Sequence, residues 1–258
     1  MAYNNSNAGY NRRSGIRQGG GSAPAAGFTA RFDAGYNVFS DVGGTTPSVN
    51  GGGVASWKAR DGSAGVQLHV QSGAGLVYRT VFVNGLPAIE GGGVSLTKTQ
   101  ALRGTLAGSS GEGTVFIIAK WGSANDTSAC GTNATYFAEQ RSAPGLAKYV
   151  NPDIAHFAQI AGDFSGSWHC ITSMATLVGP QIFIGKDDTR TASLTGGGAG
   201  ADLPDGTDTE IFGGLTGRFL VAGSYVAEII FYPTALAEAD RITTEEYLAD
   251  KYGITLPY

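Results

Sequence analysis

Residues 226–254, VAEIIFYPTALAEADRITTEEYLADKYGI, carry the clearest signals of secondary structure in the chain. The first part of this stretch, which with Tyr225 forms the run YVAEIIFY (225–232), is rich in β-branched and aromatic residues, which is typical of a strand. Pro233 ends that strand because proline has no N–H for the ladder. Further on, Thr243 and Glu246 have the spacing of a capping box, and apolar residues then recur with a helical period. Gly253 lies where a left-handed residue closes a helix. The stretch therefore predicts a final strand followed by a short helix that packs on a sheet.

Eight further runs of β-branched and aromatic residues lie upstream, separated by clusters of Gly, Ser, Asn and Asp. They are 28–32, 66–70, 76–83, 115–121, 135–139, 168–174, 180–185 and 209–214. Alternation in the first run puts Phe28, Ala30 and Phe32 on one face of a half-buried strand, whereas VFII (115–118) suits a strand that is buried on both faces. Many short strands with turn signals between them predict an antiparallel sandwich or jelly roll rather than an α/β fold.

Four segments carry a resemblance to a known family. They are VASWKARDGSAG (54–65), VNGLPAIEGGG (83–93), GTVFIIAKW (113–121) and the stretch 226–254. In this order they resemble concanavalin A-like lectin/glucanase domains of the laminin-G-like superfamily, with departures at Lys58 to Asp61 and at Glu90. The resemblance implies two packed antiparallel sheets with a concave face, and it implies that Trp57 is a core residue. We therefore expect residues 28–258 to form an all-β, two-sheet antiparallel jelly-roll sandwich with a short C-terminal helix.

The first 27 residues differ in charge from the rest of the chain. The first 30 residues contain Arg12, Arg13 and Arg17 and no acidic residue, which leaves 14 basic and 21 acidic residues in the remainder. Such an asymmetry is typical of an arm that docks on the acidic surface of a partner. The segment GGGSAPAAG (19–27) is equally typical of a plain linker. Residues 1–27 are thus interpreted either as an extended anchoring arm or as a flexible leader.

Composition narrows the compartment and the class of partner. The net charge of −4 and the 15% of charged residues are unlike those of a nucleic-acid-binding protein. Residues 1–26 lack the apolar core of a secretory signal, and no apolar run approaches the ~20 residues that span a bilayer. We expect neither membrane insertion nor classical export. The two cysteines, Cys130 and Cys170, are expected to be buried small apolar residues.

Catalytic signatures are weak. Glucanases that the chain resembles use carboxylates in an E-x-D-x-x-E arrangement on one strand, so that acid and nucleophile flank the glycosidic bond. Here the only E-x-D is Glu238 to Asp240, in the predicted C-terminal turn, and position 243 is threonine. Glu228 is a lone carboxylate in the final strand. We therefore expect a protein that is not an enzyme.

Two sets of residues are candidate binding sites. Asp202, Asp205, Asp208 and Glu210 lie in the loop DLPDGTDTE and supply the oxygen ligands that calcium prefers, although an acidic solvated loop has the same composition. Trp121, Tyr136 and Trp168 lie near polar loops, where exposed rings could stack on a sugar. The alternative for these aromatic residues is packing between the two sheets.

Domains that resemble this one occur often in phage structural proteins. We therefore expect a non-enzymatic virion structural protein, a capsid decoration or fibre subunit, that contacts other virion proteins through its N-terminal arm. It would be made in the host cytoplasm, would lie on the virion surface and would assemble as a homo-oligomer. The alternative is a lectin-like module that binds host or environmental glycans, and a glycan hydrolase is disfavoured because the carboxylate pair is missing.

Overall fold

A computed structural model gives the fold. It describes residues 23–62, 66–71, 75–91, 100–106, 112–122, 127–132, 136–140, 146–150, 157–161, 164–176, 179–184, 208–211 and 223–256. The described elements, in chain order, are β1 Ala30–Asp33, β2 Val38–Phe39, β3 Ser56–Lys58, β4 Asp61–Gly62, β5 Gln67–His69, β6 Leu76–Val83, β7 Leu86–Gly91, β8 Leu102–Thr105, β9 Gly113–Lys120, β10 Thr127–Thr132, β11 Tyr136–Gln140, β12 Leu146–Val150, β13 Phe157–Ala161, β14 Trp168–Thr176, β15 Gly179–Ile184, β16 Asp208–Ile211, β17 Tyr225–Tyr232 and α1 Glu238–Tyr252.

These strands form two antiparallel sheets, as the sequence predicts. Sheet A has the order β15-β14-β9-β17-β1-β4, and the β6–β7 hairpin joins it through a β7–β17 pairing. Sheet B has the order β13-β12-β11-β10-β16-β8-β5-β3-β2. Strand β17 pairs with β9 on one side and with two strands in turn on the other. On that second side it pairs with β7 at Tyr225 and Val226 and with β1 from Glu228 onward. The chain is thus an all-β sandwich with one C-terminal helix.

The main core lies between the sheets. Val115 and Ile117 of β9 face this core, together with Phe32 of β1 and Trp57 of β3. The intervening residues Phe116 and Ile118 face the opposite way, into a second apolar cluster beneath α1. Helix α1 therefore covers the outer face of sheet A, which explains why VFII is buried on both faces. The prediction that Trp57 is a core residue is confirmed.

One face assignment in the first strand is wrong. Ala30 and Phe32 do share the inter-sheet core, but Phe28 packs against the second cluster, with its ring edge-on to Tyr232 at a centroid distance of 6.1 Å. The strand begins only at Ala30, so alternation does not extend back to Phe28.

The two cysteines are buried as expected, in different clusters, and they form no disulfide.

The start of the helix also differs from the expected one. Helix α1 begins at Glu238, five residues before the expected capping box, and its N-cap residue Ala237 makes no side-chain capping bond. Thr243 is already inside the helix, and its hydroxyl donates to the carbonyl of Ala239 one turn earlier. Gly253 closes the helix in the left-handed region, with φ of 65°, and its N–H bonds to the carbonyl of Ala249, as the sequence predicts. None of the described helices is long and apolar enough to cross a membrane.

Candidate functional site

The carboxylate of Glu228, isolated in the sequence, belongs to a buried ionic cluster beneath α1. We call Arg31, Asp33, Glu228, Lys251 and Tyr252 the helix clamp. Asp33 and Glu228 are direct cross-strand neighbours, an arrangement that two carboxylates alone would make unfavourable. The ammonium of Lys251 lies between them and donates to both, and the guanidinium of Arg31 donates to Glu228 at 2.6 Å.

The clamp is a structural device that attaches α1 to sheet A. Burial disfavours the ionised form of Asp33, but Lys251, the Gly35 N–H and Arg31 outweigh it and hold the pKa of Asp33 below its ordinary value. Burial likewise disfavours the charged form of Lys251, yet Glu228 and Asp33 raise its pKa. A general acid needs a raised carboxyl pKa, so Asp33 is not suited to that role. The segment KYG (251–253) near the end of the stretch 226–254 is thus explained by packing, because Lys251 and Tyr252 belong to the clamp.

A different feature of sheet A faces solvent. One cross-strand row runs over β14, β9, β17 and β7, because Trp168 pairs in register with Lys120, Lys120 with Tyr225, and Tyr225 with Glu90. Their neighbours along the strands, such as Ala119 and Val226, face the inter-sheet core. Directly paired residues lie on the same face of a sheet, so these four residues share the outer face. The row spans about 14 Å from end to end, at the strand spacing of a sheet.

Three aromatic rings meet on this row. Phe82, near the end of β6, stacks on Tyr225 with ring centroids 4.1 Å apart and an angle of 28° between the rings. Trp168 contacts both rings, at centroid distances of 6.3 Å from Phe82 and 6.0 Å from Tyr225. Phe82 is 39% exposed, whereas Trp168 and Tyr225 are half-buried. We call Phe82, Trp168 and Tyr225 the aromatic platform.

Polar groups border the platform. Glu90 accepts a hydrogen bond from the Tyr225 hydroxyl at 3.0 Å, and its other oxygen accepts one from the guanidinium of Arg79 at 2.6 Å. Burial, followed by the bond to Glu90, raises the pKa of Tyr225, so this hydroxyl stays protonated. The ammonium of Lys120 lies 6.0 Å from the centre of the Tyr225 ring. The platform thus combines apolar ring surface with donors and an acceptor at its margin.

The structure separates the three aromatic residues singled out from the sequence. Trp168 belongs to the platform, but Trp121 is fully buried in the inter-sheet core near Phe164 and His169. Tyr136 lies on the other sheet, where its backbone pairs in register with Gly131. Phe82 and Tyr225 were missed, because each falls inside a run whose composition indicates only a strand. A signal in the sequence that could have found the site is the unbroken apolar run 81–83 just before the Asn-Gly turn, because a strand with one buried face should alternate; the structure leaves Val81 and Phe82 exposed.

The acidic candidates are only partly described. Asp208 and Glu210 lie on β16 of sheet B, and Glu210 pairs in register with Arg103 on one side and Gly131 on the other. A single row across sheet B therefore links two of the sequence candidates. It consists of Ser56, His69, Arg103, Glu210, Gly131 and Tyr136.

Asp202, Asp205 and the arginines of the arm, Arg12, Arg13 and Arg17, lie outside the described residues. Among the residues that are described, no group of three His, Cys, Asp or Glu side chains could hold a metal ion.

Comparisons with known proteins bear on the fold alone. No family model and no curated protein matches the sequence. Among solved structures, the binding domain of botulinum neurotoxin serotype D matches with a TM-score of 0.51 at 9% identity, over 85% of this chain and 50% of that chain.

Two other solved structures overlap less closely. Domain 4 of AbnA, a GH43 extracellular arabinanase from Geobacillus stearothermophilus, in complex with arabinotriose, has a TM-score of 0.49 at 13% identity, over 86% of this chain and 99% of that chain. A Trypanosoma rangeli sialidase in complex with the inhibitor DANA has a TM-score of 0.49 at 14% identity, over 85% of this chain and 33% of that chain. At these identities, the likeness to the neurotoxin domain shows a shared β-sandwich fold and no more.

Proposed function

We propose that this chain is a carbohydrate-binding β-sandwich module and that the aromatic platform is where the saccharide binds. A fold of this kind does not by itself determine a ligand, so the proposal depends on the site. The observation that carries it is the set of three touching rings on the outer face of sheet A, beyond the part that α1 covers.

The chemistry of the platform suits a sugar. A sugar ring has an apolar C–H face that can stack on an aromatic ring, and its hydroxyl groups need donors and acceptors at the edge. No described residue accepts the indole N–H of Trp168, so that donor is available to a sugar hydroxyl. Glu90 supplies carboxylate oxygens beside Tyr225.

The same groups favour binding without hydrolysis. Glycosidases of the usual kind need two carboxyl groups on either side of the scissile bond. Glu90 is the one carboxylate that the described structure places on the platform row, and it is held by Arg79 and Tyr225. We therefore propose a binding module that is not an enzyme.

A glycan array with matched variants tests this proposal. Phe82→Ser removes the most exposed ring of the platform, and we expect it to abolish the array signal while the fold, followed by circular dichroism, is retained. Val42→Ser is the control, because Val42 is similarly exposed but lies in the loop beside sheet B. Unchanged binding by Phe82→Ser, or no binding by the parent protein to any glycan, would contradict the proposal.

We further propose that the module is displayed on a virus particle, as a capsid decoration or fibre subunit whose N-terminal arm binds other virion proteins. The support is the basic arm and one structural relation. The N–H of Ala25 bonds to Thr244 and its carbonyl accepts from the hydroxyl of Tyr232, at the C-terminal end of β17. Tyr225 of the platform lies at the other end of that strand, about 23 Å away at the usual rise per residue.

This separation suits a protein that is anchored at one end and binds at the other. Deleting residues 1–22 should abolish incorporation into particles while glycan binding remains. Full incorporation of the truncated protein would contradict anchoring, and the binding proposal would be unaffected by that result.

A further inference from the structure

The platform carries an uncompensated positive charge. Its carboxylate, Glu90, is already paired with Arg79, since the guanidinium lies 2.6 Å from the carboxylate oxygen. Lys120 is different. In the described part of the chain, no carboxylate forms an ion pair with its ammonium and no acceptor receives a hydrogen bond from it. One cation of the row is therefore left for a ligand.

The position of Lys120 makes that charge relevant to binding. In the cross-strand row it stands between Trp168 and Tyr225, two of the three platform residues. A sugar stacked on the platform would thus place its substituents beside the ammonium. A hydrogen bond from an ammonium to an anionic oxygen is about twice as strong as one between neutral groups.

We propose that the ligand of the platform is an anionic saccharide, whose carboxylate or sulfate group accepts a hydrogen bond from Nζ of Lys120. The inference rests on the proposed function and adds the chemical class of the ligand. Neutral saccharides would use the same rings but would leave Lys120 without a partner. Because the site is partly exposed, the charge contributes modestly, and we expect a preference of about twofold to fivefold for the anionic form.

Matched pairs of polysaccharides test this inference by isothermal titration calorimetry. Polygalacturonate and alginate are each compared with their carboxyl-reduced, neutral products, and dextran sulfate is compared with dextran. The first two pairs report on a carboxylate and the third reports on a sulfate. We expect the anionic member of at least one pair to bind more tightly, and the preference to shrink between about 20 mM and about 300 mM salt, because salt screens exposed charges.

Variants separate the two proposals. Lys120→Gln should remove the preference for the anionic member while the neutral member binds as before. Lys58→Gln changes the net charge equally but lies on sheet B, where its ammonium bonds to the carbonyl of Gly44, and it should leave the preference intact. Phe82→Ser should weaken both members of a pair.

Equal binding of both members, or a preference that survives Lys120→Gln, would overturn the inference and leave the binding proposal standing. Binding of no polysaccharide, or binding that Phe82→Ser does not change, would overturn both.

Discussion

Trp121 and Trp168 look alike in the sequence, since each ends or begins an apolar run near polar residues. In the structure Trp121 is fully buried between the sheets, whereas Trp168 packs its ring on Phe82 and Tyr225 at the surface. Sequence could not separate them, because the face of a strand on which a residue lies depends on where the strand begins. Lys120 and Trp121 show this, since Lys120, the last residue of β9, lies in the platform row and the next residue, Trp121, lies in the core.

The two tryptophans should therefore respond differently to truncation. We expect Trp121→Ala to lower the free energy of unfolding by about 3–5 kcal/mol, because it leaves a large cavity. Trp168→Ala removes a half-buried ring and should cost about 1–2 kcal/mol while weakening saccharide binding at least about tenfold. Urea unfolding and calorimetric titration measure both effects. Equal losses of stability would mean that Trp168 is also a core residue.

Substitution of Glu228 tests whether the clamp stabilises the fold. The carboxylate of Glu228 is fully buried and binds Arg31, Lys251 and Tyr252, so Glu228→Gln removes one of the two buried negative charges that Arg31 and Lys251 share, and leaves Asp33 as the other. We expect a loss of about 3 kcal/mol or more in the free energy of unfolding by urea. Glu238→Gln, at the exposed first turn of α1, is the matched control and should cost less than about 1 kcal/mol. Similar costs for the two variants would show that the clamp does not stabilise the fold.

Among the elements, many of the described strands were predictable, whereas the start of the helix was not. The runs 76–83 and 225–232 match β6 and β17 residue for residue, because β-branched and aromatic residues fill them and turn residues bound them. The capping-box pattern at Thr243 misplaced the helix start, because the true N-cap, Ala237, has no side-chain signal to detect. The two-residue strands β2 and β4 were missed, since two residues carry no periodicity. Strands β8, β10, β12 and β13 were also missed, because small or polar residues such as Ala, Gly, Ser and Lys dilute their β-branched and aromatic residues.

The helix start can be tested directly. If Thr243 donates to the carbonyl of Ala239 and caps nothing, Thr243→Ala should change the free energy of unfolding by less than about 0.5 kcal/mol, whereas loss of a true cap costs about 1 kcal/mol. Ala237→Asp should stabilise the protein by about 0.5–1 kcal/mol, because Ala237 has the extended backbone of an N-cap residue. Thermal unfolding of both variants checks these values. Destabilisation by Ala237→Asp would contradict the assigned helix start.

At the scale of the whole molecule, the sequence predicted the sandwich and its C-terminal helix but left the site undecided among several residues. The clamp shows why, because Arg31 and Glu228 are brought together from 197 residues apart. The platform is assembled in the same way from β6, β14 and β17. Alternation within one strand indicates which residues share a face, but only strand order and register show which strands meet.

The clamp also gives the whole molecule a pH dependence. The pKa of Asp33 is lower in the folded protein than its ordinary value of 3.8, so its contribution to stability is present above about pH 4 and is lost as the pH falls through the folded-state pKa. We expect the urea midpoint to fall more steeply below pH 4 for the parent protein than for Asp33→Asn, which is less stable at neutral pH. Parallel pH profiles for the two proteins would contradict this role of Asp33.

Saccharide binding at the aromatic platform can be followed by the indole N–H signals of the three tryptophans in a ¹H–¹⁵N spectrum. Each signal is assigned from the corresponding Trp→Phe variant, and a saccharide selected on the array is then titrated. Trp57, which donates to the carbonyl of Asp33, and Trp121 are both buried, so their signals should stay in place. We expect only the Trp168 signal to shift, and we expect its shift to saturate with the binding curve. Saturable binding that leaves the Trp168 signal unmoved would contradict binding at the platform.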